Sequence, residues 1–150
     1  MKSEVDLSFY DRLMERSYRL ESIEVESGYL DTKIHKTSGL PIGTLAAIHN
    51  NGSIKANIPS RPFMILAAYY WAREANVFSK AFVDFCLKRK SINESFNPVG
   101  RKGMRSVQTA IMSQQFVPLA TSTIEKKGSS TILFDTGELI NSVKWRVGMK

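Results

Sequence analysis

Two short stretches of the chain carry residues whose types and spacing fit known chemistry. In the first, Asp135-Thr136-Gly137 follows the apolar Phe134. One half of a dimeric aspartic protease presents its catalytic carboxylate on such a tripeptide, and two carboxylates a few ångströms apart then share a proton. Here only residues 138–150 follow the glycine, leaving no room for a downstream flap, and Glu138 stands where a small residue is expected. The same residues also spell a helix start. Asp135 and Glu138 have capping-box spacing, in which the Asp side chain accepts from the third helical N–H and the Glu side chain accepts from the cap's own N–H. Phe134 and Leu139 can then act as the hydrophobic staple, and the cap explains more of the stretch than the dyad does.

The second stretch is Gly100-Arg101-Lys102-Gly103. It matches the GxxG loop with which KH modules grip a nucleic-acid backbone, and two cations between glycines can come close to phosphates. Pro98 interrupts a helix leading into it, and the apolar positions that follow are Met104 and Val107. A basic turn joining two helices is therefore the expectation, with a nucleic-acid-binding module using Arg101, Lys102 and Arg105 as the alternative function. His35 and His49 have no Cys or acid at ligand spacing, so neither a metal nor a cofactor is expected. The lone Cys86 cannot form an internal disulfide and reads as a small core residue.

The elements that must position these residues follow from periodicity. The chain has 150 residues, 43% of them hydrophobic, which suits one domain spanning 1–150. No run reaches the roughly 18 to 20 apolar residues of a membrane span, and the N-terminus carries acids where a secretory signal would be apolar, so cytosolic assembly without membrane contact is expected. The net charge of +7 is segregated. Residues 1–87 hold ten Lys/Arg against ten Asp/Glu, whereas residues 88–150 hold eleven against four. A basic half suits an acidic partner or nucleic acid, and it equally suits a solvated face.

Leu7, Tyr10, Leu13 and Met14 have helical spacing. The alternation Ile23/Glu24/Val25/Glu26, the break at Gly28 and the resumption around Tyr29 and Ile34 predict a hairpin. A short helix is expected to end at Asn51-Gly52, and Pro59 and Pro62 make a stiff elbow into a helix at Phe63. Phe63, Leu66, Ala67, Tyr70 and Trp71 mark that helix; Phe78, Phe82, Phe85 and Cys86 continue or restart it as the main supplier of the core. Residues 88–103 read as a mobile basic connection, with a helix from about Met104. Val143, Trp145 and Val147 alternate with Lys144 and Arg146, the clearest strand in the chain. The expected fold class is α+β: a small antiparallel sheet, made of the N-terminal hairpin plus the C-terminal strand, packed against several helices.

Two separated stretches together resemble a known family. His49, Asn50 and Gly52, followed by Ile58, Pro59, Arg61, Pro62 and Phe63, and then by Asp135, Thr136, Gly137, Leu139 and Ser142 before a strand, are similar to the tailed-phage virion-morphogenesis family of tail-completion or neck proteins, the Mu-type morphogenesis group. The resemblance implies a non-enzymatic structural protein of the virion, assembled in the host cytoplasm. It would form a ring, commonly a hexamer, in the head-tail connector or at the head-proximal end of the tail. Its implied partners are itself, connector or adaptor proteins, tail tube or terminator proteins, and DNA in the channel. A ring of identical subunits needs head-to-tail contacts between different faces of the protomer. The basic residues Lys88, Arg89, Lys90, Arg101, Lys102 and Arg105 are the candidates for contact with a neighbour or with DNA.

Overall fold

The computed structural model describes residues 7–133 and 137–150. The order of elements is α1 (Ser8–Leu20), β1 (Ile23–Gly28), α2 (Ile42–Asn51), α3 (Phe63–Ala72), α4 (Ala75–Phe82), a π-helical turn (Val83–Leu87), α5 (Ile92–Met112), α6 (Thr121–Lys127), α7 (Glu138–Asn141) and β2 (Lys144–Met149). β1 and β2 form a two-stranded antiparallel sheet in which Val25 faces Val147 and Ser27 faces Trp145. One face of the sheet packs on α5, which also packs on α3, so the fold is α+β with α5 as its axle.

β1 takes its partner from the far end of the chain, which corrects the expected N-terminal hairpin. Its apolar alternation needs a strand that buries the same face, and Val143, Trp145 and Val147 supply the matching alternation. After Gly28 the chain turns inward instead. Tyr29 meets Phe63 edge-on at 6.5 Å, and Ile34 forms only an isolated bridge with Pro41.

The larger correction concerns residues 88–103. They hold no mobile connection: from Ile92 onward they belong to α5, a single helix of 21 residues with Pro98 inside it. Its start is fixed by a capping box in which Ser91 Oγ accepts from Glu94 N at 3.2 Å and Glu94 Oε2 accepts from Ser91 N at 2.9 Å. Pro98 costs the helix the bond to the Glu94 carbonyl. Burial of Val99, Ser106, Val107, Ala110 and Ile111 offsets that loss.

The glycines of the GxxG stretch lie on the buried face of this helix, where they let other groups come close. A Cβ on Gly100 would stand 2.5 Å from Trp145 Cδ1, and one on Gly103 would stand 2.4 Å from Ser27 Oγ and 2.8 Å from Trp71 Cε2. Around them, Trp71 Nε1 donates to Val99 O at 3.1 Å and Ser27 Oγ donates to Gly100 O at 2.9 Å. The stretch is thus neither the expected basic turn nor the alternative nucleic-acid loop but a helix-on-sheet contact sealed by two tryptophans, and a backbone buried this way cannot grip phosphates.

The main core cluster contains Ile42, Ala46, Phe63, Ala67, Val107, Ala110, Ile111, Leu139, Ile140 and Val143. Phe78 and Phe82 are exposed, contrary to the expectation that they feed the core. The π-helical turn widens the helix after Phe82 and rotates the next residues inward, so that Asp84, Phe85 and Cys86 are buried in their place. Arg16 fastens α1 to this turn. Its Nε donates to Phe85 O at 2.7 Å, its Nη2 donates to Lys90 O at 2.6 Å, and its guanidinium lies 4.2 Å from the centre of the Phe85 ring.

Candidate functional site

The residues that carried the resemblance form two joints, and the first is fully described. α2 ends at Gly52, whose N–H donates to Ile48 O at 2.8 Å and whose φ of 78° a residue with a Cβ adopts only under strain. A Cβ there would stand 2.8 Å from Ser60 N and 2.9 Å from Ile58 O, both backbone atoms that cannot step aside. Ser53 and Ile58 exchange two backbone bonds, closing a small loop that returns the chain to the end of α2. There His49 O accepts from Arg61 N at 3.0 Å and Asn50 O accepts from Ser60 Oγ at 2.8 Å.

Asn50 has a second task at this joint. Its Oδ1 accepts from Met64 N at 3.0 Å, satisfying a first-turn N–H of α3 that Pro62 and Phe63 leave open. The side chain of one helix therefore caps the next, and the elbow holds α2 and α3 at a fixed angle over α5. Asn50→Ala should lower stability by about 1 kcal/mol, the usual value of a lost cap. Asn50→Asp should lose less, because a carboxylate accepts at least as well at a helix N-terminus. Urea unfolding of the two variants checks both numbers.

The second joint is described only from Gly137 onward. The cap on Asp135, the staple residue Phe134 and the position of Thr136 lie outside the described residues. Gly137 precedes α7 with φ 76°, and Leu139, Ile140, Ser142 and Val143 are buried behind it. The Glu138 carboxylate meets Lys33 Nζ at 3.6 Å and His35 Nε2 at 3.5 Å and accepts from Lys36 N at 3.4 Å. It pins the 33–36 segment to α7.

His35 Nδ1 in turn accepts from Ser38 N at 3.2 Å and sits 2.9 Å from Ser38 Oγ. A serine, a histidine and an acid in line have the composition of a hydrolase triad. In this case the Ser38 contacts close a single exposed turn, and Lys33 shares the carboxylate.

The six basic candidates do not form one surface. Lys88 and Lys90, joined by Lys80, converge on the buried Asp84 at 3.3, 3.0 and 2.8 Å. Hydrogen bonds from Lys80 and Lys90 lead the causes that hold the Asp84 carboxyl well below the usual carboxylate range. Roughly 15 Å further along α5, at 1.5 Å per residue, Lys102 pairs with Glu74 at 3.1 Å and Arg101 lies 5.7 Å from the centre of the Trp145 ring. Arg89 and Arg105 are exposed. Lys88 and Lys90 thus share one carboxylate with Lys80, leaving that cluster net positive, whereas Lys102 is paired one to one with Glu74.

A group whose folded pKa is depressed stabilises the fold above its unfolded pKa, near 3.9 for Asp, and ceases to do so as pH falls through the folded value. Asp84 should therefore add an acid-sensitive component that is complete above about pH 4 and is lost progressively below it. Glu94, held low by its bonds to Ser91, acts in the same direction. Asp84→Asn should flatten the acid limb of a stability-against-pH curve, and an unchanged slope would show that the lysines do not act on this carboxylate.

Sequence reasoning missed a further feature, the two free edges of the sheet. Lys150 N donates to Ser22 O at 2.7 Å, so with the observed register the backbone groups of Glu24, Glu26 and Gly28 point into the sheet. Those of Ile23, Val25 and Ser27 on β1, and of Trp145, Val147 and Met149 on β2, point outward. Among the described residues no backbone hydrogen bond reaches these outward groups. The open face of β1 carries Glu24 and Glu26, and that of β2 carries Lys144 and Arg146, with Glu26 paired to Arg146. One edge is acidic and the other basic. This signal was present in the alternation of both strands, but only the pairing shows that the two edges are free.

Comparison with known protein families, with curated proteins and with solved structures found no match. Among the described residues no three His, Cys, Asp or Glu side chains are grouped to hold a metal ion, and no helix is long and apolar enough to cross a membrane.

Proposed function

We propose that this chain is a structural subunit of a tailed-phage virion that assembles into a ring, a hexamer by the resemblance, at the head-tail junction, where it completes the tail and joins it to the head. The observation that best supports this reading is the pair of free strand edges of opposite charge. Pairing β1 of one copy with β2 of the next continues the antiparallel order and sets Glu24 and Glu26 against Lys144 and Arg146. Pairing like edges would set acid against acid or base against base, which destabilises cross-strand neighbours. Such a surface favours head-to-tail contacts between identical subunits, the kind that close into rings.

The helix α1 adds a second adhesive surface. Leu7, Tyr10, Met14 and Tyr18 lie along one stripe, and all four are exposed. The two joints fit the same role, because a ring subunit must keep its faces at fixed angles. Native mass measurement and electron microscopy of the purified protein test the proposal: closed rings are the expected result. Virions lacking the protein should yield separate heads and tails. A protein that stays monomeric at every concentration and is absent from purified particles overturns the reading.

A further inference from the structure

We propose that the cleft beside the proline elbow binds an acidic, apolar-flanked segment of a partner protein, whose carboxylate pairs with Arg61. The cleft has a volume of about 1080 Å³ and lies between the 52–61 loop and residues 118–123. Arg61 lines it and is only 4% exposed. Among the described residues its side chain makes a single hydrogen bond, from Nε to Val117 O at 3.3 Å, and no carboxylate lies within ion-pairing distance.

That is an unusual state for an arginine. The guanidinium stays charged at any physiological pH and offers five donors in a planar fork. A buried charge is costly unless it is both paired and hydrogen-bonded. Two other buried or half-buried charges have such partners, Asp84 with three lysines and Lys102 with Glu74, and Arg16 donates to two carbonyls and covers the Phe85 ring, whereas Arg61 has a single bond. The Arg61 backbone is held by its bond to His49 O and by the prolines on either side of Ser60-Arg61, and the bond from Nε to Val117 O orients the side chain before any ligand arrives.

The lining identifies the ligand. It contains no Asp or Glu, and Lys55 stands exposed at the rim. The rest of the wall is mixed: His49, Asn51, Ser53, Asn57, Ser60 and Thr123 are polar, while Ile54, fully exposed at the loop tip, makes an apolar side with Ile58, Pro59 and Leu119. A carboxylate can take the guanidinium in a two-bond fork, while its apolar neighbours cover the isoleucines and prolines. A nucleic-acid strand would gain from the charge but would leave Ile54, Ile58, Pro59 and Leu119 uncovered. The cleft, at about 1080 Å³, also exceeds what a single small ion would fill. The inference holds whether or not the protein forms a ring.

The test uses the full chain and three probes: the capped peptide acetyl-Ile-Pro-Glu-Leu-amide, the same peptide with Gln in place of Glu, and inorganic phosphate. Binding is followed by NMR at the Arg61 Nε–H. The Glu peptide should give a saturable shift in the millimolar range or tighter, and the Gln peptide should bind at least about tenfold more weakly, equivalent to about 1.4 kcal/mol. Arg61→Lys should lose a similar factor. Lys55→Glu, at an exposed position that leaves the fold alone, should weaken the Glu peptide more than the Gln peptide. Equal binding of the two peptides, the absence of saturation with either, or phosphate binding more tightly than the Glu peptide would each overturn the assignment, the last in favour of a phosphate-bearing ligand.

Discussion

Phe63→Ala should cost about 3–5 kcal/mol, the range for deleting a buried aromatic side chain. That is a large share of the roughly 5–15 kcal/mol that holds a domain together. Phe63 has no exposed surface and lies in the cluster where α2, α3, α5 and α7 meet. It is also the first residue of α3, directly after Pro62, so the elbow delivers it into the core at a fixed place and the walls cannot easily collapse around its loss. Urea unfolding should show the midpoint falling with little change of slope. Tyr29 gives a second readout. Burial pushes its phenol well above the ordinary tyrosine range, and the Phe63 ring supplies part of that cover. In the variant the phenol should ionise at lower pH, which ultraviolet titration detects. A loss under about 1 kcal/mol would place the centre of the core elsewhere.

The same residue shows what the sequence made legible. The rigid corner was readable because proline acts through its own ring and needs no distant partner: Pro59 and Pro62 announced the elbow and Phe63 its destination. The strand of Val143, Trp145 and Val147 was readable for a related reason, since strict alternation has few other meanings. α5 was not. Pro98, Gly100 and Gly103 are each poor helix formers, and local propensity outweighed the Ser91-to-Glu94 capping signature that marked the true start. What overrides propensity is tertiary: Trp71, Trp145 and Ser27 need a helix surface without Cβ atoms, and they lie 27 or more positions away in the chain. The hairpin expectation failed likewise, because which strand pairs with β1 is decided by β2, more than a hundred residues later. Asn50 as a cap for a different helix, and Arg61 as a buried cation without an acid, could not be seen at all until the fold brought their surroundings together.

In the proposed ring, reversing the charges on one strand should abolish assembly while leaving the subunit folded. Glu24→Lys with Glu26→Lys turns two favourable cross-strand pairs into repulsive ones at each subunit contact. With roughly 0.2–1 kcal/mol per pair before reversal and a similar penalty after it, each two-pair contact should weaken by about 0.8–4 kcal/mol, or roughly 4- to 900-fold. A closed ring depends on every contact, so its population collapses. The fold should tolerate the change, because the Glu26–Arg146 pair within the subunit is at the surface and such pairs are worth only about 0–1 kcal/mol. Adding Lys144→Glu and Arg146→Glu restores opposite charges within and between subunits, and rings should return. The decisive case is a mixture. A reversed subunit presents its basic β1 to the basic β2 of an unmodified one, so the two proteins should form separate rings and no mixed ones, as native mass spectrometry would resolve. Mixed rings in statistical proportion would show that the subunits meet through some other surface, with the exposed stripe of α1 the next to test.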